Sequence, residues 1–246
     1  MRGSGTIEST AMNLRAGPRA LRWIAGLSLA INLALALAWA ARHVRRHAPV
    51  HPSREQARAA LFHELATGSS AHRDVVVLGD SLTERGEWWE LLDRPVANRG
   101  IANDTVEDVR ARLGDIVALT PRVIFVLIGV NDLLAGMSPE ALARHHAALV
   151  VELRGRLPNT RIIVESLLPI RDELVAFDEP LATTTVRRAN ELLQHGAMAA
   201  GADWLDVNAR LVDPTGQLDA RYSTDGLHLS AAGYHAWALA LRPYAP

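Results

Sequence analysis

The chain of 246 residues contains no cysteine. That removes disulfide staples, thiolate catalysis and cysteine-ligated zinc or iron–sulfur sites together. It leaves the compartment open, because a chain of this size can bury a sufficient core without covalent ties. Net charge is also nearly missing: 26 basic residues, all of them arginine, stand against 27 acidic ones, for a formal charge of −1. No long-range positive field steers such a protein onto phosphates, so nucleic acid is not expected as a partner. At roughly 150 residues per domain the length excludes a multidomain machine and allows one full domain with an appendage. Apolar residues are plentiful at 49%, an ordinary globular share that excludes disorder for the bulk of the chain.

From Trp23 to Ala41 the sequence WIAGLSLAINLALALAWAA carries no charge. At about 1.5 Å per residue it reaches about 28 Å, close to the roughly 30 Å of a bilayer's hydrocarbon. Arg15, Arg19 and Arg22 precede it and Arg42, Arg45 and Arg46 follow it, so the positive-inside comparison is nearly even. We expect an uncleaved transmembrane anchor. The rival is a signal peptide, with Ala38-Trp39-Ala40 as its small-x-small cleavage pattern and Met12 as an internal start. Either way the following domain lies outside the cytoplasm, membrane-anchored or secreted. Residues 42 to about 58 are polar, basic and broken by Pro49 and Pro52, which reads as a linker. His43 and His47 within it are four apart, but solvated headgroup contacts are the simpler reading and no metal is assigned. The divisions expected are 1–22 as a leader or cytoplasmic segment, 23–41 as the span, 42–73 as linker and connecting helix, and 74–246 as the functional domain.

Beyond residue 74 short apolar runs alternate with amphipathic ones. Val75–Leu78, Val123–Ile128, Ile162–Val164 and Trp204–Val207 read as strands buried on both faces, with Pro95–Arg99 a weaker fifth. Between them lie helix patterns. One starts at Asp104, with Glu107 in the capping-box place, and carries Val106, Val109, Leu113 and Ile116; another runs from Ser138-Pro139 to Leu157. A third runs from about Thr184 to a stop at Gly201, and a last from Ser230 with Tyr234, Trp237 and Leu241 on one stripe. Strict alternation predicts a parallel sheet covered on both faces, a three-layer α/β/α flavodoxin-like sandwich of five strands. Ligands bind beyond the carboxyl ends of such strands.

The strand ends carry Gly79-Asp80-Ser81-Leu82, Gly100, and Gly129-Val130-Asn131-Asp132; Asp225-Gly226-Leu227-His228 precedes the last helix. Ser81, where a buried strand turns into a helix, can expose its hydroxyl as a nucleophile, although Gly-Asp-Ser is also ordinary turn and cap vocabulary. Asp225 and His228 are three apart, a spacing that lets the carboxylate accept from Nδ1 and leaves Nε2 free to take the serine proton. His145, His146, His195 and His235 lack such a partner and read as surface residues. The oxyanion of acyl transfer needs aimed donors, for which the candidates are the Ser81 N–H, the Gly100 N–H and the Asn131 side-chain amide. Gly100 suits because the backbone approaches there without a Cβ. Trp88 and Trp89 could flank the cleft as a sugar or lipid platform, but core packing of a short helix is the plainer reading.

These four blocks resemble those of the SGNH (GDSL-type) hydrolase family, and in particular bacterial relatives of the platelet-activating-factor acetylhydrolase catalytic subunit. The similarity runs from Asp74 onward. It implies Ser81 as nucleophile, His228 as general base, Asp225 as its orienter, an oxyanion hole of Ser81, Gly100 and Asn131, and neither metal nor organic cofactor. Asp80 and Asp132 are implied to shape the turns. Two departures stand out: Glu84-Arg85-Gly86 replaces an earlier small residue and glycine, and Ala102-Asn103 replaces a common Gly-Gly. The expected function is a serine esterase acting on short acyl, chiefly acetyl, esters of a carbohydrate or lipid. An O-acyltransferase on cell-envelope polymer and an inactive binding module are the alternatives, and the sequence is silent on oligomeric state.

Overall fold

β-branched residues run together at the centre of the domain and build its sheet. The computed structural model describes residues 33–34, 52–68, 73–174 and 181–246. Five strands, β1 (Val75–Gly79), β2 (Val96–Gly100), β3 (Val123–Leu127), β4 (Arg161–Glu165) and β5 (Asp203–Leu205), pair in the order β2-β1-β3-β4-β5. Every pairing is parallel. All residues of β1 and β3 are buried, as a sheet covered on both faces requires. The predicted five-stranded parallel sheet flanked by helices is the observed one. The fifth strand is shorter than its apolar run, ending at Leu205 because Asp206 turns away to accept from Ser166 Oγ and the Asn208 N–H.

The helices are α1 (Arg54–Gly68), α2 (Ser81–Glu84), α3 (Trp88–Leu92), α4 (Val106–Ala111), α5 (Leu113–Val117), α6 (Val130–Leu134), α7 (Pro139–Arg156), α8 (Thr183–Ala199) and α9 (Ala231–Leu241). Ser138 caps α7 through the Ala141 N–H at 3.2 Å, with Pro139 at its first turn, as expected. Ser230 caps α9 through Gly233. Helix α8 ends before Gly201, whose φ of +78° closes it in the left-handed conformation.

Four local expectations are corrected. The helix after β2 is capped by Thr105, whose capping box closes with Asp108, because Asp104 is drawn to Arg112 Nε at 2.8 Å. It breaks at Arg112 into α4 and α5 instead of running through. Residues 54–58, read as linker, open α1: Ser53 accepts from the Gln56 N–H and Gln56 Oε1 accepts from the Ser53 N–H, a capping box that reaches across the basic stretch. His146 is not a surface residue. It is 2% exposed on the stripe of Leu142, Leu149, Val150 and Leu153 along α7, and burial pushes its pKa down to about 4. Of the run Trp23–Ala41 only Leu33 and Ala34 are described, both helical. The cleavage pattern and the His43/His47 pair lie outside the described residues. Among the described residues no helix is long and apolar enough to cross a membrane.

Beneath α9, Trp237 donates from Nε1 to Glu165 Oε2, both fully enclosed. Burial pushes the Glu165 carboxyl up to about 8, against the pull of the Trp237 hydrogen bond. The folded protein therefore keeps a proton that the unfolded chain releases above about 4.5, so this residue makes stability fall as pH rises from 4.5 toward 8. Glu165→Gln is expected to flatten that decline, read as the urea midpoint of variant and parent compared at pH 5 and pH 8.

Candidate active site

The turn that carries Ser81 is built by Asp80. Its Oδ1 accepts the Leu82 N–H at 2.9 Å and so caps α2, which starts at Ser81. Asp80 is wholly buried and its Oδ2 has no partner among the described residues. Burial raises its pKa to about 7, the Leu82 N–H opposes this, and the Asp104 and Asp132 carboxylates add to the rise. Burial thus makes this carboxyl far easier to protonate than an exposed aspartate.

Ser81 is 9% exposed and its Oγ lies 3.1 Å from His228 Nε2. On the far side of the ring Nδ1 lies 2.8 Å from Asp225 Oδ2. Asp225 Oδ1 accepts the N–H groups of Leu227 at 3.0 Å and His228 at 2.7 Å. Partial burial raises the Asp225 pKa, but those two N–H groups and the His228 ring outweigh it and hold the carboxyl at about 2. It stays ionised and faces the ring as an acceptor. The fold thus brings all three residues into one line across 147 positions of sequence.

The loop that carries Asp225 and His228 is knit by a residue the sequence did not single out. Buried Ser223 accepts the Gly226 N–H at 2.9 Å and donates to Asp225 Oδ1 at 3.3 Å. Next along the chain, Tyr234 of α9 donates its hydroxyl to the Leu82 carbonyl at 2.8 Å, tying the base's side of the site to the nucleophile's helix. Trp88 lies under this junction, edge-on to Trp237 and Tyr234, with Nε1 on the Thr83 carbonyl. It is core. Trp89 is 62% exposed and is not part of that packing.

The oxyanion donors need a correction. Gly100 N–H is already donated to Asn98 Oδ1 at 2.9 Å, so it has no proton left for a substrate. Glycine is required there for a different neighbour: a Cβ would meet the Glu84 backbone N at 2.2 Å, because α2 lies directly on the end of β2. Asn98 locks that contact, its Nδ2 donating to the carbonyls of Thr83, Glu84 and Gly86, each at 3.1 Å. Asn131 holds its expected place. It sits in the first turn of α6, after Gly129 at φ +132°, and one amide proton goes to the Asp104 carbonyl at 2.9 Å, leaving the other.

A further candidate donor is a backbone group that sequence reasoning missed. Ile101 N–H goes to Gly79 O, Ala102 N–H to Glu84 Oε2, and Asp104 N–H to Ile101 O. Thr105 N–H goes to Asp108 and Val106 N–H to Asp132. Between Gly100 and Val106 only the Asn103 N–H has no partner among the described residues, and Asn103 is itself exposed. Asn103 has φ +66° at the third position of the Ile101–Asp104 turn, the place that asks for glycine or asparagine. Asn in place of a Gly-Gly glycine was the available signal. Among the described residues no group of histidine and carboxylate side chains has the arrangement of a metal site.

A flavodoxin-like sheet with a Ser/His/Asp array at its carboxyl edge defines a class of α/β protein. The chain belongs to the GDSL-like lipase/acylhydrolase family, a family of ester hydrolases, whose model matches residues 66–236. It is similar to the platelet-activating factor acetylhydrolase IB subunit beta homolog of Drosophila melanogaster, 32% identical over 103 residues. That match takes in 39% of this chain and 45% of the relative, so the chain spans less than half the length of that protein. Among solved structures, one from Streptococcus pneumonia named for platelet activating factor superposes with a TM-score of 0.70 at 24% identity, covering 87% of this chain and 99% of that one. An acetyl-xylooligosaccharide esterase from Geobacillus Stearmophilus, in a mutant form, gives 0.57 at 20% identity over 70% and 94%. These two likenesses concern the fold.

Gly100→Ala is expected to destabilise the protein by at least about 1–3 kcal/mol, the usual cost of overpacking. The intruding methyl meets backbone and not a flexible side-chain end. Urea denaturation checks it, with an unchanged midpoint as the contrary result.

Proposed function

We propose that the protein is a serine esterase that removes short acyl groups, acetyl above all, from a carbohydrate or lipid through an acyl-enzyme. The observation that carries this is the unbroken line from Ser81 Oγ through His228 to Asp225, at 3.1 and 2.8 Å. Ser81 Oγ attacks the ester carbonyl carbon while His228 Nε2 takes its proton, and Asp225 holds the ring in the tautomer that leaves Nε2 as acceptor. The carbonyl oxygen becomes an oxyanion received by the Ser81 N–H, the free Asn131 amide proton and the Asn103 N–H. Collapse breaks the ester C–O bond, and the departing alcohol takes the proton from His228. Water then repeats the sequence on the acyl-serine, releasing the acid. The preference for acetyl draws support from the acetyl-ester named for one similar structure. The uncharged run Trp23–Ala41 supports assigning the domain to the outside of the cytoplasm on a membrane anchor.

Ser81→Ala and His228→Ala are each expected to abolish hydrolysis of p-nitrophenyl acetate while the circular dichroism spectrum stays that of the parent. A fluorophosphonate is expected to form a covalent adduct on Ser81, found by peptide mass spectrometry. Its absence from folded protein would favour a binding module. Asn131→Ala is expected to lower kcat by about a hundredfold or more, the scale of one lost oxyanion donor. Membrane fractionation with protease accessibility checks the anchor, and a mature chain beginning at Ala41 would replace it with a cleaved leader.

A further inference from the structure

The Ile101–Asp104 turn is gripped by a charged network whose other end is the first turn of α1. Glu84, the last residue of α2, has a side chain only 6% exposed. Its Oε2 accepts the Ala102 N–H at 2.5 Å and its Oε1 accepts from Arg54 Nη2 at 2.8 Å. Arg58, one helical turn beyond Arg54, sets Nε 3.9 Å from Glu84 Oε2 and donates it to the Gly100 carbonyl at 2.7 Å. Between them Glu55 Oε1 accepts from Asn103 Nδ2 at 3.2 Å. Gly100, Ala102 and Asn103 are thus all bonded to α1, directly or through Glu84. The two departures noted in the sequence, Glu84 and Ala102-Asn103, meet here and complete each other.

A carboxylate this enclosed needs compensation, and two guanidinium groups from one helix supply it. Its position matters for the chemistry because the turn it grips carries Asn103 at φ +66°, next to the Ala102 N–H that Glu84 accepts. With the Ala102 N–H fixed on Glu84 and the Asp104 carbonyl fixed on Asn131, the peptide between them has one orientation, and with it the free Asn103 N–H.

We propose that Glu84 and Arg58 are positioning residues for acyl transfer, holding the Ile101–Asp104 turn so that the Asn103 N–H meets the oxyanion. This rests on the serine esterase reading. Neither side chain touches substrate, and α1 becomes part of the frame of the active site.

The experiment compares Glu84→Ala, Glu84→Gln and Arg58→Ala with the parent in p-nitrophenyl acetate kinetics, in the rate of fluorophosphonate labelling at Ser81, and in circular dichroism. Glu84→Ala is expected to lose about a hundredfold in kcat, the scale for a misplaced catalytic group, with KM little changed. Its labelling slows in parallel, because phosphonylation develops the same oxygen charge. Glu84→Gln recovers most of the rate, since its amide oxygen still accepts from Ala102. Arg58→Ala, at a partly exposed position, shows a smaller loss in kcat and keeps the test open if Glu84→Ala does not fold. A folded Glu84→Ala or Arg58→Ala with parental kcat and labelling overturns the proposal, as does a Glu84→Gln no better than Glu84→Ala. A parent protein that takes no label at Ser81 overturns the esterase reading itself, an outcome distinct from a labelled parent whose variants are equally fast.

Discussion

Everything at the site depends on three strands stopping level. Gly79 pairs with Gly100 on one side and with Leu127 on the other, so β1, β2 and β3 release their chains at the same edge. The turns bearing Ser81, Asn103 and Asn131 emerge within hydrogen-bonding reach of one another because of that register. Parallel pairing fixes it firmly, since both faces are buried and a slip by one residue would reverse every side chain. His228 and Asp225 come from elsewhere, and α9 is tied to α2 through Tyr234 so that the two halves meet.

Under these turns lies an unusual concentration of buried charge. Asp80, Asp104 and Asp132 each have a raised pKa, chiefly through burial. All three are structural: Asp80 caps α2, Asp132 receives the Val106 N–H, and Asp104 pairs with Arg112. Arg112 in turn donates to the carbonyls of Arg99 at 2.9 Å and Gly79 at 3.3 Å, at the ends of two strands. Polar groups that would otherwise be stranded at the sheet's edge are satisfied by side chains, and the edge is rigid as a result.

Much of this is legible in the sequence, for reasons that separate it from what is not. Continuous apolar runs identify the strands because a sheet covered on both faces leaves no polar period. Ser81, His228 and Asp225 are legible because their chemistry restricts residue type and their spacing is short or lies at strand ends. Gly100 misleads because glycine answers two needs, reception of a substrate and close approach of backbone, and here Glu84 is what approaches. Asn103 is hidden because its contribution is a backbone N–H, which no side chain announces. His146 looks polar by residue type, yet its helical stripe of Leu142, Leu149 and Leu153 marks the buried side. The capping boxes at Ser53 and Thr105 are masked by their charged neighbours, the basic stretch before α1 and Asp104, which itself has the chemistry of a cap.

The long separation between Ser81 and His228 has a consequence for how the proposed site is assembled. A domain folds as a unit, so a site that draws on both ends of its chain forms only once the whole of it is available. Ser81, Asn103 and Asn131 belong to the leading part of the sheet, whereas His228 follows Ser81 by 147 positions, on the loop just ahead of α9. On the esterase reading proposed above, the Ser81 hydroxyl lacks its partner until the segment bearing His228 has emerged and docked, so a chain cut before that segment would carry the proposed nucleophile without its base.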